Sequence, residues 1–122
     1  MGPFAPGQVI VVPFPFSDLS AQKYRPALIL AEAGRSDWVL CQITSNQFSD
    51  PLAIELEDAA FSQGSLQRIS YARPGKLFTA NDSLFSAQAG ALQTAIFKEI
   101  RDAVIARSGC VKLDSPLSGN LA

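Results

Sequence analysis

Up to Thr94 the apolar positions of this chain come in short runs or alternate with polar ones, and beyond it they recur at helical spacing. Residues 9–14 (VIVVPF) are β-branched and aromatic, the composition of a strand. Pro13 and Pro15 cannot donate to a ladder, so this strand ends there or becomes an edge. Residues 17–23 are polar and read as a loop. Residues 26–31 (PALILA) form a continuous apolar run, short enough for a strand buried on both faces. A turn is predicted around Gly34, and a third strand over 38–44 (WVLCQIT). After a polar loop over 45–51, Leu52, Ile54 and Leu56 alternate with Ala53, Glu55 and Glu57, a fourth strand. Residues 58–64 read as a turn and 65–72 as a fifth strand carrying Leu66, Ile69 and Tyr71. Pro74-Gly75 is turn punctuation before an extended segment at 76–79.

Ile96, Phe97, Ile100, Ala103 and Val104 then share one helical face, with Lys98, Glu99, Arg101 and Asp102 turned away. Thr94 suits an N-cap and Ser108-Gly109 a stop. Short strands followed by one amphipathic helix predict a mainly β fold, a small antiparallel sheet curled into a barrel with a C-terminal helix laid on it. At 122 residues one domain is expected, spanning 1–108, with 109–122 a poorly ordered tail.

Composition narrows the chemistry. The chain has no histidine, which removes histidine acid–base pairs, serine–histidine triads and histidine metal sites. Cysteine and carboxylate metal spacing is also missing, so no metal or other cofactor is expected. Cys41 and Cys110 make no disulfide framework, and no apolar stretch approaches the ~20 residues of a membrane span. With no basic-then-apolar leader either, a reduced, cytoplasmic protein is expected. The net charge of −1 argues against a protein that coats nucleic acid by charge alone. Its distribution changes that picture. Residues 19–31 hold Lys23 and Arg25 and no acid, and residues 59–81 hold Arg68, Arg73 and Lys76 and no acid. Asp50, Glu55, Glu57 and Asp58 lie between these segments and read as a solvated strand face.

Arg25 stands at the mouth of a buried apolar strand, directly before Pro26. Proline biases the residue before it toward extended backbone, so this guanidinium starts from a rigid strand end. Taken alone it reads as an ion-pair partner at a strand terminus, and Thr44 as an ordinary β-branched strand residue.

Taken together, the pieces resemble the MazF/PemK family of toxins from type II toxin–antitoxin pairs. The matching segments are Gly7-Gln8-Val9-Ile10-Val11, Arg25-Pro26-Ala27-Leu28-Ile29-Leu30, Cys41-Gln42-Ile43-Thr44-Ser45 and Ser70-Tyr71-Ala72-Arg73-Pro74-Gly75-Lys76-Leu77, with Gly90 ahead of the helix. They follow the family's order over residues 6–108. The resemblance implies an SH3-like barrel of the CcdB/PemK type, a homodimer, and a metal-independent, sequence-selective endoribonuclease (an mRNA interferase) inhibited by a cognate antitoxin peptide. It implies a catalytic arginine at Arg25 and a phosphate-contacting hydroxyl at Thr44. Arg68 matches a further arginine of some members, while Ser70 stands where those members carry an acid, and Ser20 is nearest to a loop glutamate of others. Asp18 is then the nearest carboxylate in the first loop, a candidate proton acceptor. Lys23, Tyr24, Ser45, Arg73 and Lys76 are the expected contacts to single-stranded RNA.

The residues suit that chemistry. RNA supplies its own nucleophile in the neighbouring 2′-hydroxyl. A planar, always-charged guanidinium matches two phosphate oxygens. Two other readings keep their place. One is a protein-binding toxin that poisons a topoisomerase in the manner of CcdB. The other is a catalytically inactive homologue that binds only antitoxin or RNA, motivated by serine at Ser70 and Ser20.

Overall fold

The computed structural model describes residues 4–14, 23–47 and 50–108. Seven strands form one antiparallel sheet that curls into a nearly closed barrel. They are β1 (Gln8–Phe14), β2 (Lys23–Gly34), β3 (Asp37–Thr44), β4 (Ile54–Leu56), β5 (Phe61–Gly64), β6 (Ser70–Asn81) and β7 (Ala87–Leu92). Their order across the sheet is β4-β6-β3-β2-β1-β7-β5. Two short 3-10 turns, Asp58–Ala60 and Asp82–Leu84, link β4 to β5 and β6 to β7. One helix, α1 (Thr94–Ser108), closes the fold.

The apolar runs behave as their lack of alternation predicts. Neighbouring residues on β1, β2 and β3 point to opposite faces and are buried on both. Val9, Leu28, Cys41 and Ile43 join one cluster with Leu56, Ala72 and Ile100, covered by Ile96, Phe97 and Val104 of the helix. Ile10, Val12, Ala27, Ile29 and Leu40 join a second cluster with Trp38, flanked by Phe4, Phe78 and Phe85. Phe4 and Phe85 meet edge to face, with ring centroids 4.9 Å apart. Each fully buried aliphatic side chain contributes about 2 kcal/mol relative to exposure, and this makes β1–β3 the rigid centre that carries the groove described below.

Several boundaries differ from the sequence expectation, each for a physical reason. The turn near Gly34 is tighter than expected: Arg35 and Ser36 both take positive φ (56° and 67°), and β2 and β3 run almost to the reversal. Pro74-Gly75 does not end a strand. β6 continues through it as a bulge, in which residues 73–76 face Gln42 alone while Ala72 pairs with Ile43 and Leu77 with Cys41. The expected fifth strand over 65–72 divides. Phe61–Gly64 pairs with β7, residues 65–69 form a loop, and β6 starts at Ser70. β7 itself (AQAGAL) lacks the large apolar residues that signal a strand, and the sequence did not announce it. It is held by close packing, for a Cβ on Gly64 would stand 2.7 Å from the Cα of Gly90 across the β5–β7 pair. The expected tail over 109–122 lies outside the described residues, as do Asp18, Ser20 and Cys110.

Candidate active-site groove

Arg25 sits near the start of β2, paired with Val12 of β1. The β2–β3 register matches Ala27 with Gln42. Two residues further along both strands, that register carries Arg25 toward Thr44, and Thr44 pairs in turn with Tyr71 of β6. These strand ends open onto a cavity of about 400 Å³. Lys23, Tyr24, Arg25, Thr44, Ser45, Arg68 and Ser70 all line it, with Pro26, Ile43 and Leu66 as its apolar wall. Residues from three separate stretches of the chain therefore meet in one groove. Its described lining carries three cations and no acid. A concave, net-positive wall of this kind concentrates anions.

The hydroxyls have specific settings. Thr44 Oγ1 accepts a hydrogen bond from the Asn46 N–H at 3.1 Å, so its own proton is left to donate. Ser70 is buried, and its Oγ donates to the Arg68 carbonyl at 3.3 Å. Ser70 thus ties down the backbone of Arg68; as an uncharged hydroxyl it is a poor proton acceptor at neutral pH. Just upstream, Gln67 holds φ +64°, a left-handed conformation costly to a residue with a Cβ, by about 1–2 kcal/mol. Arg68 is exposed and forms part of two walls. Beyond it lies a second cavity of about 260 Å³, lined also by Glu57, Asp58, Gln67 and Ile69.

Arg73 and Lys76 are elsewhere. They line a third cavity of about 390 Å³ together with Asp50, Pro51, Gly75 and Arg107. Arg73 Nη1 donates to Gln42 Oε1 at 3.0 Å, and its Nε lies 3.8 Å from Asp50 Oδ2. Arg107 reaches Asp50 from the end of α1, Nη1 to Oδ1 at 3.5 Å. The guanidinium crosses directly over Gly75, where a Cβ would stand 2.9 Å from its Cζ. Asp50 is not part of a solvated acidic face, as the sequence suggested, but is buried. Its Oδ1 also accepts the Leu52 N–H at 2.9 Å. That backbone bond first, then Arg107 and Arg73, hold its carboxyl below the ordinary 3.8, against the opposing pull of burial. The missed signal was Asp50-Pro51, an Asx-turn pair. On the same bulge, the Cys41 thiol donates to the Arg73 carbonyl at 3.2 Å, and burial pushes its pKa up to about 12. Among the described residues, no group of three His, Cys, Asp or Glu side chains is placed to hold a metal.

The fold and the site together define a small, nearly closed β-barrel with one terminal helix and a cationic groove at its strand ends. The chain belongs to the PemK-like, MazF-like toxins of type II toxin–antitoxin systems, whose family profile matches residues 5–107. Solved structures share the fold at low identity. An endoribonuclease from a mycobacterial species, in complex with its cognate antitoxin, is 16% identical, with a TM-score of 0.66 over 89% of this chain and 96% of that one. MazF of Deinococcus radiodurans is 17% identical, with a TM-score of 0.66 over 85% and 94%. The MazE–MazF complex from the same organism is 16% identical, with a TM-score of 0.64 over 85% and 94%. No curated protein sequence matches the chain.

Proposed function

We propose that this toxin is a metal-independent, sequence-selective endoribonuclease that cuts single-stranded RNA. The observation that carries the reading is the groove: Arg25, Arg68 and Lys23 converge with the Thr44 hydroxyl on one concave surface whose described lining holds no acid. A scissile phosphate there meets guanidinium groups suited to its two non-bridging oxygens. The 2′-oxygen attacks phosphorus, the bond to the 5′-oxygen breaks, and the products end in a 2′,3′-cyclic phosphate and a 5′-hydroxyl. The 2′-hydroxyl proton leaves to a base, and the departing 5′-oxygen takes one up. Arg25 and the Thr44 hydroxyl stabilise the charge that builds on the phosphate, each such donor worth about 3 kcal/mol in the transition state. Arg68 supports the same charge, and Ser70 keeps its backbone in place. Asp18, outside the described residues, stays the candidate base.

Tyr24 and Ser45 are read as further RNA contacts in the groove, and Lys76 as a contact for phosphate beyond it. Arg73, held by Asp50 and Gln42, is read as shaping that surface from beneath. The cognate antitoxin is proposed to inhibit by occupying the groove with an acidic segment, in line with the mycobacterial relative solved with its antitoxin. The toxin is proposed to act as a cytoplasmic homodimer, residues 1–108 forming the working domain. No helix among the described residues is long and apolar enough to cross a membrane. Leu77 and Ile105 remain exposed large apolar groups that a second copy could cover.

The test is to incubate the protein with a long RNA in EDTA and map the new ends. Cuts at a recurring short sequence with cyclic phosphate ends are expected. Cutting only on addition of metal overturns the mechanism. RNA binding without any cut favours the inactive, binding-only homologue, the reading that the acid-free lining supports.

A further inference from the structure

Resting on the ribonuclease reading above, we propose that Asp58 and Ser65 are positioning residues, which set the place of Arg68 in the groove through the backbone of Gln67. Ser65 Oγ donates to Asp58 Oδ1 at 2.6 Å, and the same oxygen accepts the Gln67 N–H at 2.9 Å. A hydroxyl has one proton and two lone pairs. Committing the proton to Asp58 aims a lone pair at Gln67. The bond closes a turn of the type serine forms with the backbone two residues on. It holds Gln67 at φ +64°, where only glycine rests comfortably.

The surroundings leave the loop little other support. It departs from Gly64, itself at φ +69° and packed on β7, and re-enters the sheet at Ser70. Gln67, Arg68 and Ile69 are exposed. Leu66 reaches the core cluster, and Ser70 fixes the Arg68 carbonyl from the other side. Two left-handed residues three positions apart therefore direct the chain at Arg68, and the second is held by a side-chain relay. If Gln67 relaxes to negative φ, the Cα–Cβ vector of Arg68 turns with it. Arg68 lines both the groove and the cavity of Glu57 and Asp58, so a small rotation moves its charge from the RNA to the acids. Strain retained next to a charged groove residue is the pattern expected of a functional constraint.

The test is a double-mutant cycle on RNA cutting. Ser65→Ala lowers kcat about tenfold with KM nearly unchanged, the loss of one hydrogen bond. Ser65→Thr keeps the relay and keeps the rate. In an Arg68→Ala background Ser65→Ala has no further effect, because the relay acts only through Arg68. Ser65→Ala with Gln67→Gly recovers the rate, since glycine takes the left-handed conformation unaided. Additive losses from Ser65→Ala and Arg68→Ala, or no recovery with Gln67→Gly, overturn the inference. A wild-type protein that cuts no RNA overturns the ribonuclease reading instead. The relay is then read by amide hydrogen exchange at Gln67, which Ser65→Ala accelerates if the bond exists and leaves unchanged if it does not.

Discussion

Arg25-Pro26 and Arg73-Pro74 are the same dipeptide on two strands of one sheet, and a buried carboxylate stands beside the second. Around Arg25 the described groove lining contains cations, hydroxyls and an apolar floor, but no acid. Around Arg73 the chain supplies Asp50, Gln42 and a second guanidinium from the helix end. The cationic lining around Arg25, taken as a whole, attracts an incoming anion. An arginine shared with a buried acid has exchanged that attraction for local order. The difference lies in which distant segments fold beside each dipeptide, and this is why the two look alike in sequence.

The largest expected effect breaks or upholds that contrast directly. Arg25→Ala lowers RNA cutting by about a hundred- to a thousandfold, and thermal melting stays close to wild type; a large drop in melting temperature instead makes Arg25 a structural residue. Next, Asp50→Ala removes the bond to Leu52 and leaves Arg73 and Arg107 facing each other, at a cost of about 2 kcal/mol. Urea unfolding measures it, and the folded fraction continues to cut. The same carboxylate has a sign in pH. Its pKa is depressed in the fold, so its stabilisation is present above the ordinary 3.8 and is lost as pH falls through the lower folded value. Stability curves of wild type and Asp50→Asn should therefore converge in strong acid and separate toward neutrality. A smaller effect distinguishes the surface around the buried centre from the groove. Lys76→Ala weakens RNA binding slightly and lowers the salt slope by about one. The smallest signal comes from Cys41, whose pKa of about 12 leaves it a neutral thiol at pH 8. Alkylation, mapped by peptide to exclude Cys110, is expected only on unfolding; rapid labelling in the native protein would mean that the Arg73 bulge opens readily.

Local pattern placed the strands that carry the groove, and the resemblance to the toxin family singled out the residues on them. The Arg25-Pro26 strand start and the strand ending at Thr44 are continuous sequence signals, and seven of the ten residues expected at the site line one cavity. Arg73 and Lys76 line another, and Asp18 falls outside the described residues. At Asp50 only the turn was legible, in the Asp50-Pro51 pair; its ion pairs were not, because Arg73 and Arg107 come from β6 and the end of α1, far along the chain. The division of the expected fifth strand was equally hidden. Ser65 is the one local hint that Gln67 turns left-handed, since its hydroxyl accepts the Gln67 N–H, and the partner that takes its proton, Asp58, lies in the preceding turn. β7 lacked a signal because its partners accept it for smallness rather than for hydrophobicity.

The order of the sheet has a mechanical consequence. β4 and β5 are its two outermost strands, yet they are consecutive in the chain, joined through the short turn at Asp58–Ala60. The seam between the edges is therefore spanned by a covalent strap instead of a ladder of hydrogen bonds. Severing the backbone within that strap would free both margins at once and let the wall unroll from its seam, whereas the same nick at Asp82–Leu84 would fall between β6 and β7, each one strand in from an edge and paired on both sides. The turn at Asp58–Ala60 thus has two tasks, closing the seam of the barrel and presenting Asp58 to Ser65 in the loop of Arg68.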